Sequence, residues 1–137
     1  MNKFKSISFI VLRYLLALFM INAGAQHFIK PDFYTPFVPD FLPFKGFIIL
    51  GSGIIELALG ILLLLKNNLA KYAGLGIFIL MLVFLPIHIK DVLVENPSIG
   101  SHKLAIIRLP FQFIFLAWSW GIWNYLKKQN ETSENKQ

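Results

Sequence analysis

Four apolar runs decide what this chain can become. They cover about residues 6–25, 47–65, 69–89 and 105–125. A helix needs ~20 mostly apolar residues to cross the hydrocarbon of a bilayer, and each run supplies about that many. Hydrocarbon offers no water to backbone N–H and C=O groups, so spans of this kind are helices. The composition agrees. Hydrophobic residues make up 56% of the chain and charged residues 15%, against ~25% charged in an ordinary soluble domain. The expected fold is all-α: an integral membrane four-helix bundle in one domain, residues 1–126. A polar tail, residues 127–137, has no apolar residue and is expected to be disordered.

The connections differ in kind. The first, from Gln26 to Gly46, holds Pro31, Pro36, Pro39 and Pro43 among Phe28, Phe33, Tyr34, Phe37, Phe41 and Phe44. Proline interrupts helices, and aromatic rings favour the headgroup level. An ordered interfacial loop between the first two spans follows. The second connection, "KNNLAK" (Lys66–Lys71), is a tight polar turn that makes its two spans antiparallel neighbours. The third, from Lys90 to Leu104, is polar and carries Asn96-Pro97 and Gly100.

Charge sets the expected orientation. With the N-terminus inside, the inner segments hold eight Lys and Arg against two acids, and the outer segments five against four. Basic residues collect in short cytoplasmic segments, so both termini are expected in the cytoplasm. The same bias accounts for the net charge of +6 without nucleic acid. The setting is the plasma or inner membrane, with the lipid bilayer as the obligatory partner. The chain has no cysteine, which excludes thiol–disulfide exchange and Cys-ligated metals or clusters.

"INAGAQHF" (Ile21–Phe28) ends the first run and has the A-x-A form of a signal-peptidase site at Ala23-Gly24-Ala25. Arg13 and Asn22 interrupt the run, and it exceeds the ~7–15 residues of a signal h-region. The helix is therefore expected to be retained. Arg13, Ala17, Gly24 and His27 share one stripe of it; Gly46, Gly53, Glu56 and Gly60 share a stripe of the second span. Small residues on such stripes bring helices close together.

Ionisable groups inside a span cost ~2.5–3.5 kcal/mol on insertion scales and mark candidate functional positions. The candidates for ligand binding or proton handling are His27, Glu56, Arg108, Gln112, Gln26, Asn22 and His88. At ~1.5 Å per residue, Glu56 lies ~13–15 Å below the outer boundary, with Gln112 ~10 Å below it and Arg108 one turn higher. His27, Gln26 and His88 sit at the outer mouth. Arg108 is the natural partner for Glu56. Arg13 lies near the inner end and is expected to snorkel toward headgroups. Read structurally, the same set is a buried network that holds helix register. His27, His88 and Glu56 lack H-x-x-x-H or E-x-x-H spacing, so no metal centre is expected.

"AGAQHFIKPDFYTPFVPDFLP" (Ala23–Pro43), "SGIIELALGILLLL" (Ser52–Leu65), "VFLPIH" (Val83–His88) and "RLPFQFIFLAW" (Arg108–Trp118) together resemble the DoxX/DoxD-like family of small four-helix membrane proteins. The more specific parts are the His-Phe pair before a proline-punctuated loop, and the Glu with a Gly four residues on. Relatives often carry Asn after the third-helix proline, where this chain has His88 in "LPIH". The resemblance implies kinship with a membrane subunit of a thiosulfate:quinone oxidoreductase, and with proteins that accompany redox partners. It also reaches a chaperone for receptor assembly.

Three functions are compatible with these residues. The first is a redox-associated membrane subunit with an outer-half polar pocket for a quinone- or lipid-like molecule. Quinone is then the candidate cofactor, and electrons come from a soluble or membrane redox partner, since no haem, flavin or other catalytic signature is present. The second is a non-catalytic assembly protein. The third is a small proton-coupled transporter, in keeping with a lone midplane Glu and a homo-oligomer.

Overall fold

The computed structural model describes residues 3–65 and 68–135. The described chain is all-helical: α1 (Lys3–Ile29), α2 (Pro31–Tyr34), a 3-10 turn (Thr35–Phe37), α3 (Lys45–Leu64), α4 (Asn68–Leu93) and α5 (His102–Glu134). The four long helices are each long and apolar enough to cross a membrane. They expose Leu18, Ile54, Val83 and Ile106 by more than half. Large apolar surface of this kind marks an interface with a partner or a membrane. Part of the expected turn after α3, at Lys66 and Asn67, lies outside the described residues, as do Lys136 and Gln137.

Helix ends follow from local chemistry. Pro31 pushes Lys30 out of helical conformation (φ −134°), which ends α1 and starts α2. Ser101 caps α5 by accepting the Leu104 N–H at 3.2 Å. Asp91 is 1% exposed, and its carboxylate accepts the N–H groups of Ser98 at 2.9 Å and Ile99 at 3.3 Å. That pair of bonds folds the α4–α5 connection back onto the end of α4.

The four long helices form two tight pairs, α1 with α3 and α4 with α5. Glycine makes the first pair close. A Cβ on Gly24 would meet the Gly53 carbonyl and the Leu57 amide at 2.7 Å, and one on Gly53 would meet His27 Cβ at 2.6 Å. The small-residue stripe of the sequence is thus a backbone-to-backbone seam, except at Gly46, where a Cβ would meet nothing within 4 Å. Away from the loop after α1, the pairs close on an apolar core that includes Leu16, Met20, Leu63, Ile77 and Leu116. Trp118 Nε1 donates to the Leu12 carbonyl at 3.1 Å there. At the loop end the pairs splay and enclose a cavity.

Arg13 is tied to the end of α3: Nε donates to the Leu63 carbonyl at 2.7 Å and Nη2 to the Leu65 carbonyl. It satisfies acceptors left over at the end of α3, where a cation is favoured. The tail from Lys127 is helical to Glu134 rather than disordered. Its polar composition rules out a packed core, not a helix. Lys, Gln and Glu are good helix formers, and Gln129 Nε2 ties the extension to Tyr125 Oη at 2.6 Å.

Candidate functional site

The cavity has a volume of about 640 Å³ and draws its walls from α1, α3, α4 and α5. It lies within the ~300–1,000 Å³ range of small-molecule sites, which are mostly apolar with a few convergent polar groups. His27, Glu56, His88, Arg108 and Gln112 all line it. Asn22 and Gln26 do not: Asn22 points outward, and Gln26 is half-buried off the cavity wall. Only one face of a helix points inward, and both lie off the face that carries His27.

His27 is fixed from two sides. Its Nδ1 lies 2.9 Å from the Ile49 carbonyl and 3.2 Å from Ser52 Oγ. Ser52 Oγ itself donates to the Ile49 carbonyl at 2.9 Å. A carbonyl only accepts, so the proton of this ring sits on Nδ1. Nε2 then faces Glu56 Oε2 at 3.5 Å. The two side chains are thus neighbours across the α1–α3 seam, with the imidazole held in place by its other nitrogen.

Arg108 belongs to a different acid. Its Nη1 lies 3.6 Å from Asp91 Oδ2. The expected Glu56–Arg108 pairing is therefore replaced by two separate pairs, His27–Glu56 and Arg108–Asp91. The reason is topological: the α1–α3 seam places His27 beside Glu56, and α5 packs on α4, which carries Asp91. Asp91 looks like a surface charge in the sequence, inside the polar Lys90–Leu104 connection, and nothing in its spacing signals burial.

The aromatic loop roofs the cavity through these same groups. Tyr34 stacks on the His27 ring at 3.7 Å between centroids. Phe37 lies under the Arg108 guanidinium at 4.7 Å, a cation–π contact. Lys45 holds the far end of the loop by a 2.7 Å bond to Asp40. Burial pushes the Tyr34 phenol above its ordinary value of 10.0; the charge of Glu56 raises it further and Arg108 opposes this. The phenol is neutral at physiological pH.

Two buried polar atoms of cavity-lining residues make no hydrogen bond. Among the described residues, Glu56 Oε2 and His88 Nδ1 are the buried side-chain N or O atoms that make no hydrogen bond. Gln112 is already used: its Nε2 donates to the Met81 carbonyl at 2.6 Å. Pro86 disturbs α4 here, because it has no N–H for the Leu82 carbonyl one residue on.

A family model described as a domain of unknown function (DUF8561) matches residues 16–123. The chain belongs to the DUF8561 family. The DUF8561 match spans the α1–α3 seam, the aromatic loop and every residue that lines the cavity. The helical extension from Lys127 to Glu134 lies beyond it. No match to a curated protein or to a solved structure is found.

Proposed function

We propose that this DUF8561 protein is a redox-associated membrane subunit that holds a quinone-like molecule in the cavity between its two helix pairs. The observation that carries this reading is a mostly apolar space lined by Glu56 and His88, whose buried Oε2 and Nδ1 atoms make no hydrogen bond. A buried polar atom without a partner costs ~1–3 kcal/mol, so a bound polar head that satisfies both is favoured. The resemblance to DoxX/DoxD-like proteins points the same way, as does the orientation it goes with: both termini cytoplasmic, the aromatic roof on the outer side of the inner membrane.

A quinone takes two electrons and two protons to become a quinol. The electrons come from a redox partner. The role of this chain is to bind and orient the head, exclude water with Tyr34 and Phe37, and pass protons one at a time through the His27–Glu56 pair. Co-purification tests the reading. Full-length protein extracted in mild detergent is expected to carry a quinone, identified by mass spectrometry of the organic extract. Glu56→Gln and His88→Leu are expected to lose it while keeping the wild-type helical signal. Retention by both variants would sink the proposal.

A partner-assembly role has one observation in its favour, the polar helix that continues α5 past the bundle to Glu134. Deleting residues 127–137 is the matching test. Loss of a co-purifying protein without loss of the small molecule would assign the extension to partner contact.

A further inference from the structure

The charged groups around the cavity face partners pair by pair. Arg108 is balanced by Asp91, 3.6 Å away and on the neighbouring helix. Glu56 is faced by the His27 ring, Nε2 to Oε2 at 3.5 Å, across the α1–α3 seam. Tyr34 is a neutral phenol. His88 is neutral as well, because an imidazolium would bury its Nδ1–H with no acceptor. Ser52 and Gln112 have no charge. At the foot of the roof, half-buried Lys45 is matched by exposed Asp40. The acid and the guanidinium that line the space, Glu56 and Arg108, each already face a partner on a neighbouring helix.

The space nevertheless reaches lipid-facing surface. Phe19 on α1 and Phe111 on α5 line it and are 41% and 55% exposed. Between them the α1–α5 seam is closed by a ring stack, Phe19 on Phe115, at 4.3 Å. An aromatic stack is a far weaker closure than the glycine seam on the opposite side of α1. Going from His27 to Phe19 along α1 gives the cavity a depth of ~12 Å.

From this balance we propose that the cavity selects an uncharged amphiphile, with a hydrogen-bonding head at Glu56 and His88 and a hydrocarbon tail leaving between Phe19 and Phe111. The inference rests on the cavity being a ligand site and adds the charge class of the ligand. A phosphate, carboxylate or quaternary ammonium head would arrive with a charge that nothing in the site neutralises, and an unpaired charge in a low-dielectric site is strongly disfavoured. Asp91 is then a selectivity residue, acting through Arg108 without touching the ligand.

Binding of labelled amphiphiles to the full-length protein in phosphatidylcholine nanodiscs tests this. The probes are a decyl-benzoquinone and dioctanoylglycerol as neutral heads, decyl phosphate as the anion and decyltrimethylammonium as the cation. At least one neutral probe is expected to bind tenfold or more tightly than either charged one, and the two neutral probes separate a quinone site from a neutral-lipid site. Asp91→Asn frees the charge of Arg108 while keeping one side-chain acceptor, enough for the shorter bond from Ser98. It is expected to raise affinity for decyl phosphate at least tenfold. Asp91→Asn with Arg108→Gln is expected to erase that gain. A charged probe that binds wild type as well as the neutral ones overturns the inference and leaves the cavity a ligand site. Neutral preference without the Asp91→Asn gain overturns the assignment to the Arg108–Asp91 pair. If no probe binds, the ligand-site reading falls with it.

Discussion

His27 and Glu56 face each other across the α1–α3 seam, Nε2 to Oε2 at 3.5 Å, while the Ile49 carbonyl holds the opposite nitrogen of the ring. Each side of the imidazole has a defined partner. The pair is placed by backbone packing rather than by attraction between the two groups, since Gly53 gives His27 Cβ its room. Its coupling is measurable by a double-mutant cycle. His27→Ala, Glu56→Gln and the double variant, followed by thermal unfolding in detergent, are expected to show a coupling energy of about 0.5–3 kcal/mol. Strictly additive single effects would mean the two side chains do not interact.

The seam itself gives a second prediction. A methyl group on Gly53 would sit 2.6 Å from His27 Cβ and 3.0 Å from the Gly24 carbonyl. Gly53→Ala is expected to destabilise by about 1–3 kcal/mol, the range for overpacking, and to shift His27 away from Glu56. Gly46→Ala meets nothing within 4 Å. Near the start of the same helix it is expected to be neutral or to stabilise by up to about 1 kcal/mol, since Ala is the better helix former. Equal melting shifts in the two variants would contradict the seam.

Asp91 and Arg108 are unequal partners. Asp91 is 1% exposed and also holds two loop amides, whereas the Arg108 side chain is 31% exposed. Asp91→Ala is expected to cost about 3–5 kcal/mol, as for removal of one member of a buried pair. Arg108→Ala should cost less, because solvent already screens part of its interaction. The comparison is read from denaturation midpoints, and the reverse order would contradict the assignment of Asp91 to loop closure.

Tyr34 supplies a pH signature. Its phenol is pushed above 10.0 by burial first and by Glu56 second. An acid whose folded value is raised contributes stability that is fully present below its unfolded value. That contribution is lost as pH rises through the folded value. The roof is therefore expected to hold below pH 10 and to loosen above it. Ultraviolet titration of wild type minus Tyr34→Phe should show a phenol ionising above 10, and Glu56→Gln should move that step down. A step at or below 10 would mean that the ring is not stacked over His27 in a dry site.

Much of the architecture is written in local patterns. Run length and polarity mark four helices long and apolar enough to span a membrane, because a backbone in hydrocarbon has few alternatives to a helix. Glycines at helical spacing mark the α1–α3 seam before any contact is known. The prolines from Pro31 to Pro43 mark a connection without a long helix, and only short helical turns form there. Polar residues within apolar runs pick out five residues that line the cavity, since ionisable groups there seldom face lipid.

The pairing of those groups was decided elsewhere. Glu56 and Arg108 look like partners by depth along the membrane normal, the one coordinate that residue number supplies. Their rotation about each helix axis, and the choice of neighbour, depend on which helices pack together. Gly24 against Gly53 brings His27 to Glu56, and the α4–α5 pairing gives Arg108 to Asp91. Asn22 and Gln26 drop out for the same reason, being a fraction of a turn from the inward face. Sequence spacing therefore determines which groups enter the bundle. Only packing in three dimensions decides which of them meet, because contact between helices is settled by side-chain volume at the seams and not by distance along the chain.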